Sequence, residues 1–116
     1  MSRRGSAAAA KWVEVAPVFA ALGDTTRLGV VARLCTEGPL SIARLSDGAS
    51  VTRQAITKHL HALADAGLVR DSRRGRERIW ELEPKRLEKA RRCLDQVFEQ
   101  WDAAIGRLRA FVEEER

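Results

Sequence analysis

Within VTRQAITKHLHALADA, the polar side chains Arg53, Gln54, Thr57, Lys58 and His61 recur on one side of what reads as a helix, opposite an apolar stripe of Ala55, Ile56, Leu60 and Leu63, with Ala62. The chemistry open to the polar side is hydrogen bonding to nucleic acid. Arg53 can hold guanine bidentately and Gln54 adenine in a major groove. Backbone N–H groups around Thr52, Arg53 and Gln54 favour phosphate, because a helix N-terminus carries unpaired donors and the positive end of its dipole. Thr57, one turn on, can meet a base or a thymine methyl. Lys58 suits a phosphate, a contact that orients a protein without reading sequence. His61 lies near the polar face but farther from the helix start. For His59, beside Leu60, a structural hydrogen bond is at least as natural a role as DNA contact. A solvated polar face is the plain alternative for all of these residues. What weighs against it is the segment that follows, where Arg73, Arg74, Arg76 and Arg78 surround Gly75 and can reach phosphates or a narrow minor groove.

The elements that must position these groups are legible from caps and periodicity. A helix is expected from about Ala8 to Leu22, with Trp12, Val15, Phe19 and Leu22 on its apolar side and a kink or restart at Pro17. Asp24 is placed to cap a second helix, Thr25 to about Cys35, carrying Leu28, Val31 and Leu34 and stopped by Gly38 and Pro39. Ser41 caps a short helix with Ile42 and Leu45, and Thr52 caps the longer one running to about Ala66, with Gly67 beyond its end. Two short helices around a tight turn, the second amphipathic, make a helix-turn-helix. Strands are expected at Val69–Ser72 and Arg78–Glu83 around a tip at residues 74–76, with Trp80 and Leu82 facing the helices. A hairpin in that place is the wing of a winged helix. Arg27, in the first turn of its helix, suits either a phosphate or a structural ion pair.

From Lys85 to about Glu114, Leu87, Leu94, Trp101 and Leu108 recur every seven residues, as do Ala90, Val97, Ala104 and Phe111, with Phe98, Ile105 and Val112 widening the stripe. This predicts a helix about 42 Å long. A small domain cannot cover such a stripe alone, so Leu87, Leu94, Val97, Trp101, Leu108 and Phe111 are candidate dimer contacts. The expected fold is therefore mainly α with a small β-hairpin: a three-helix core, a wing and a long terminal dimerisation helix. Residues 1–10 form a flexible start, 11–84 the DNA-binding domain and 85–116 the dimerisation helix.

At 116 residues the chain is long enough for one self-sufficient core. Its formal charge of +5 is concentrated centrally: Arg53 to Arg78 carries seven cations against three anions, whereas Lys85 to Arg116 carries eight against seven. A localised basic patch suits a polyanionic partner. No run is apolar enough for a membrane span, and the opening MSRRGSAAAAK lacks the apolar segment of a signal peptide. Two cysteines are too few for a disulfide framework, so a reducing cytoplasm is the expected location. There is no glycine-rich phosphate loop and no Ser/His/Asp or Cys/His constellation, which argues against an enzyme.

The runs FAALGDTTRLGVVARL, ITKHLHALADAGLV and GRERIWEL together resemble the arsenic-repressor (ArsR) family of winged-helix regulators over about Pro17 to Leu82, with a compatible terminal helix beyond. The resemblance implies a homodimer built on the first and last helices, a palindromic operator and repression of transcription. It also raises the question of metals, which many relatives sense. Where one family site uses two neighbouring cysteines, LCTEG supplies Cys35 alone; where another uses histidines of the terminal helix, this helix has none. No metal and no cofactor is therefore expected, and the Leu-Glu-Pro followed by a tryptophan-bearing helix is similar to the metal-independent branch, whose inducer is open. Asp95, Glu99 and Asp102 read as a solvated face. Cys35 and Cys93 occupy roughly the elements in which some relatives carry redox-active thiols, but buried, inert cysteines are the favoured expectation. A thiol-sensing repressor and a winged helix that binds an acidic protein remain the alternatives.

Overall fold

The computed structural model describes the backbone of residues 3–115 and side chains from Trp12 onward. Five helices and three strands follow in the order α1 (Arg3–Leu22), α2 (Thr25–Glu37), β1 (Leu40–Ser41), α3 (Ile42–Ser46), α4 (Arg53–Asp65), β2 (Val69–Arg74), β3 (Glu77–Leu82) and α5 (Pro84–Glu114). The three capping residues act as expected. Asp24 accepts from the Arg27 N–H at 3.0 Å, Ser41 from Arg44 at 3.2 Å and Thr52 from Ala55 at 3.1 Å, each satisfying an N–H that the first helical turn leaves free. Helix α4 closes in a Schellman arrangement, with the Gly67 N–H on Ala64 O and the Leu68 N–H on Leu63 O, both 2.9 Å. Gly67 takes the left-handed φ of +78° that this closure requires.

One core joins the elements. Ile56, Leu60 and Leu63 of α4 are buried with Val15 and Val18 of α1, Val30, Val31 and Leu34 of α2, Leu45 of α3, and Leu68 and Trp80 of the wing's base. The hairpin pairs Val69 with Leu82 at its base and Arg74 with Glu77 at its tip. Its two-residue turn has Gly75 at φ +66°, while Arg76 keeps a negative φ, the sign pattern of a type II′ hairpin turn.

Several expectations need correction. Strand pairing runs closer to the tip than anticipated, because a two-residue turn lets Arg74 and Glu77 pair; β3 ends at Leu82, and Pro84 begins α5. The sheet has a third strand, β1, pairing Leu40 with Trp80 and Ser41 with Ile79; a two-residue strand has no periodicity to betray it. Helix α1 starts at Arg3 rather than near Ala8 and runs as one helix through Pro17. The expected flexible start thus falls partly in α1, with residues 1 and 2 outside the described residues. Val15, Val18 and Ala21 carry α1's contact with the core, with Phe19 and Leu22 packed against it, while Trp12 is 41 % exposed. On α2, Leu28 faces solvent at 51 % exposure, and Val30 takes the core position instead.

Helix α5 shapes the molecule. Its first turns pack on α1 through Ala90 and Cys93, but every described residue from Leu94 to Glu115 is exposed. The radius of gyration is consequently 19.3 Å, against about 13 Å for a compact chain of this length. No single described helix is long and apolar enough to cross a membrane.

Candidate nucleic-acid interface

Helix α4 carries the candidate recognition face, and it is held from behind. Ile56, Leu60 and Leu63 anchor one side in the core, so Arg53, Gln54 and Lys58 are presented outward, all exposed and without a side-chain partner among the described residues. Two of the proposed readers are partly engaged. The Thr52 hydroxyl serves as the helix cap, and the Thr57 hydroxyl donates to the Arg53 carbonyl at 2.9 Å while the residue is half-buried. Thr57 therefore offers its methyl and a free lone pair more readily than its proton. His61, although exposed, sets its ring edge-on to Trp80 at 5.8 Å between centroids, which ties it to the wing's base rather than to the reading end of the helix.

The wing continues the basic surface. Arg73, Arg74 and Arg76 are exposed with no carboxylate partner among the described residues, whereas Arg78 pairs with Asp71 at 3.0 Å. Arg73 and Arg78 stand directly opposite each other across the two strands. Like charges in that relation destabilise a sheet, so the sequence tolerates repulsion at a place where a polyanion would relieve it. At the other end of the hairpin Arg70 is neutralised by Glu81 (2.9 Å) and Glu83 (2.8 Å), and these hydrogen-bonded carboxylates raise its pKa further. The free cations of the wing are thus at its tip.

Sequence reasoning missed the residue that fixes the turn between the two helices. Arg33 of α2 donates to the carbonyls of Arg44 (3.0 Å) and Leu45 (3.3 Å) in α3, and its Nε donates to Glu37 at 2.8 Å. The guanidinium thereby satisfies carbonyls in the last turn of a five-residue helix and locks α3 to α2. Its pairing with Glu37, four residues on, was the available signal; the carbonyl contacts are tertiary. His59 lies half-buried 3.8 Å from Asp24, beside the α2 cap but beyond hydrogen-bond reach of its carboxylate. The backbone N–H of Arg27 is the main cause holding the Asp24 carboxyl below its usual range. Arg27 itself leaves its Nε buried without a hydrogen-bond partner and forms no ion pair with another described residue.

Contrary to the expectation of two buried thiols, Cys35 is exposed on α2; Cys93 is sealed in the core at 0 % exposure. Cys35 lies one residue past the core position Leu34, so helical geometry turns it outward. Among the described residues no three His, Cys, Asp or Glu side chains converge on a metal-sized site. On α5, Leu94, Val97, Phe98, Trp101, Ile105, Leu108, Phe111 and Val112 form a continuous exposed apolar stripe, whereas Leu87 is half-buried against its own core.

Comparison with known proteins agrees with this geometry. A family model described as a helix-turn-helix domain matches residues 22–71. The chain is 35 % identical over 95 residues to the HTH-type transcriptional regulator Rv2034 of Mycobacterium tuberculosis, covering 82 % of this chain and 85 % of that protein. Among solved structures it resembles an ArsR-like transcriptional regulator from Rhodococcus sp. RHA1 with a TM-score of 0.72 and 35 % identity, over 86 % of this chain and 93 % of the other. It also resembles the homodimeric winged helix-turn-helix DNA-binding domain of Mb0332 from Mycobacterium bovis, a possible ArsR-family regulator, with a TM-score of 0.62 and 25 % identity over 86 % and 88 % of the two chains. With 35 % identity across most of both chains and the same winged architecture, this protein belongs to the ArsR family of DNA-binding winged helix-turn-helix transcriptional regulators.

Proposed function

We propose that the protein is a homodimeric repressor that binds a palindromic operator through two α4 helices set in successive major grooves, about 34 Å apart. The observation that carries this is the set of uncompensated polar and cationic side chains on the N-terminal half of α4 and at the wing tip. Arg53, Gln54, Lys58, Arg73, Arg74 and Arg76 are exposed and have no side-chain partner among the described residues, while Arg70 and Arg78 are held by carboxylates. Arg53 and Gln54 read bases, with Thr57 contributing a methyl contact; Thr52, Lys58 and the wing arginines hold phosphates. Arg78 joins them once DNA displaces Asp71, and His61 acts at the margin of the site. The exposed α5 stripe supports self-association, as does likeness to a domain described as homodimeric. Repression follows where the operator overlaps a promoter. With Cys35 alone on α2 and no histidine on α5, we assign the protein to the family's metal-independent branch, its response set by its own concentration or by an unidentified ligand.

Selection of bound fragments from genomic DNA, followed by footprinting, tests the proposal. The expected result is an inverted repeat protected at two segments one helical turn apart, occupied by two chains. Recovery of fragments without sequence preference, or of single half-sites bound by a monomer, would overturn it.

A further inference from the structure

A cavity of about 530 Å³ opens between α2 and the turn that joins α3 to α4. Its floor is apolar, made by Val30 of α2, Leu45 of α3 and Ile56 of α4, all buried. Small-molecule sites have volumes of about 300–1,000 Å³, with apolar walls and a few polar groups that orient the ligand. Gly29 forms the α2 wall. It stands inside a 13-residue helix, where glycine is less stable than alanine. No packing within the chain requires it, because a Cβ built at Gly29 meets nothing within 4 Å. Thr25 and Arg33, one turn to either side on the same face, also line the cavity. The side chain that Gly29 lacks would therefore occupy the cavity itself. The turn supplies the charge. Asp47 is exposed at the cavity's edge, and no cation of a described residue pairs with it. The nearest candidates, Arg33 and Arg44, are drawn to Glu37 at 2.8 and 4.0 Å. The pKa of Arg33 is raised chiefly by its hydrogen bond to Glu37, with a smaller contribution from the charge of Asp47.

We infer that this cavity binds a small organic amine, its ammonium on Asp47 and its apolar body over Gly29 and the buried floor. An anion is disfavoured, because the charge left unpaired at the edge is negative. The regulatory part rests on the repressor reading and gives that reading's unidentified ligand a chemical class and a place. The ligand touches α4 directly through Ile56, and the turn it seats on ends at Val51, two residues before Arg53. Amine and operator thus act on the same helix start. By linkage, each changes the affinity for the other by one common factor.

Phenethylamine, phenethyl alcohol and phenylacetate share one apolar body and differ in the head group, so together they test both halves of the site. Each is titrated into the isotope-labelled full chain and followed by amide NMR. The expected result is saturable shifts centred on Gly29, Gly48 and Val51, with the amine about fivefold or more tighter than the acid and the alcohol between them. Asp47→Asn should remove the amine's advantage. Gly29→Ala should raise the thermal midpoint, because it gains helix propensity in open space, and yet weaken the amine; Gly29→Leu should abolish binding. Saturable binding by none of the three compounds, or by a Gly29→Leu chain as tightly as by the parent, would overturn the site. An acid that binds as tightly as the amine would overturn the role of Asp47. These titrations need no DNA, so they read the site even if operator selection fails. With operator bound, the amine's affinity should change by about fivefold or more. An unchanged affinity would refute the link to regulation and leave the site standing.

Discussion

Arg53→Ala gives the sharpest test of the recognition face. Arg53 opens α4, is exposed, and has no carboxylate or carbonyl partner for its guanidinium among the described residues, so its removal strands no buried group and should leave the fold intact. A bidentate arginine–guanine contact contributes about 1–3 kcal/mol of discrimination. A symmetric dimer loses two of them, so the preference for operator over scrambled duplex should fall by roughly thirtyfold or more, the equivalent of about 2 kcal/mol at the low end. The assay is fluorescence anisotropy on both duplexes across a salt series, with thermal unfolding as a check on the fold. The expected signature is a loss confined to the operator, with little change in the slope of log affinity against log salt, because no phosphate contact is lost and counterion release is unchanged. An equal loss on both duplexes with a shallower slope would show that Arg53 holds phosphate, and the assignment of base reading to this residue would fail.

Arg76→Ala should behave in the opposite way: affinity falls for every duplex, and the salt slope drops by about 0.9 per protomer; a loss restricted to the operator would contradict the wing's assigned role. Arg33→Ala should weaken operator binding with the salt slope unchanged, because Arg33 acts through the α3 carbonyls and not on DNA; Arg33→Lys should restore part of the affinity, and a reduced slope would instead place Arg33 on a phosphate. Gly67→Ala should lower the thermal midpoint for two reasons: its φ of +78° strains an L side chain by about 1–2 kcal/mol, and its Cβ would lie 2.4 Å from Arg86 Cδ. Adding Arg86→Ala should relieve only the second, and full recovery in the double variant would show that the backbone is unstrained. Finally, Glu14, Asp24 and Glu37 are each held below their usual pKa, first by Lys89, the Arg27 N–H and Arg33 respectively. Carboxyls depressed by folding stabilise the fold above their unfolded range and lose that contribution on acidification, so the midpoint should fall below roughly pH 4. Asp24→Asn, which keeps a cap but cannot ionise, should flatten that fall; an equally steep decline would refute the role of Asp24.

Local chemistry was enough to place most of the helices. Asp24, Ser41 and Thr52 mark helix starts because a short oxygen-bearing side chain beside a free N–H is a local bond, complete within three residues. Gly38 and Gly67 mark helix ends for an equally local reason, the left-handed backbone that few other residues accept. The outward face of α4 and the heptads of α5 followed from periodicity alone. What lay beyond reach were relations between elements. Which side of α1 and α2 meets the core depends on how those helices dock, so Trp12 and Leu28 read as core and stand in solvent, while Cys35 faces outward. The pairing of β1 with β3, the clamp of Arg33 on α3, the neutralisation of Arg70 and Arg78, and the seating of His61 on Trp80 all join residues ten or more apart or on different elements, or both. Composition counts every arginine as one positive charge. Only the folded chain shows which of those charges already have a carboxylate within reach, and therefore which are left free for an outside partner.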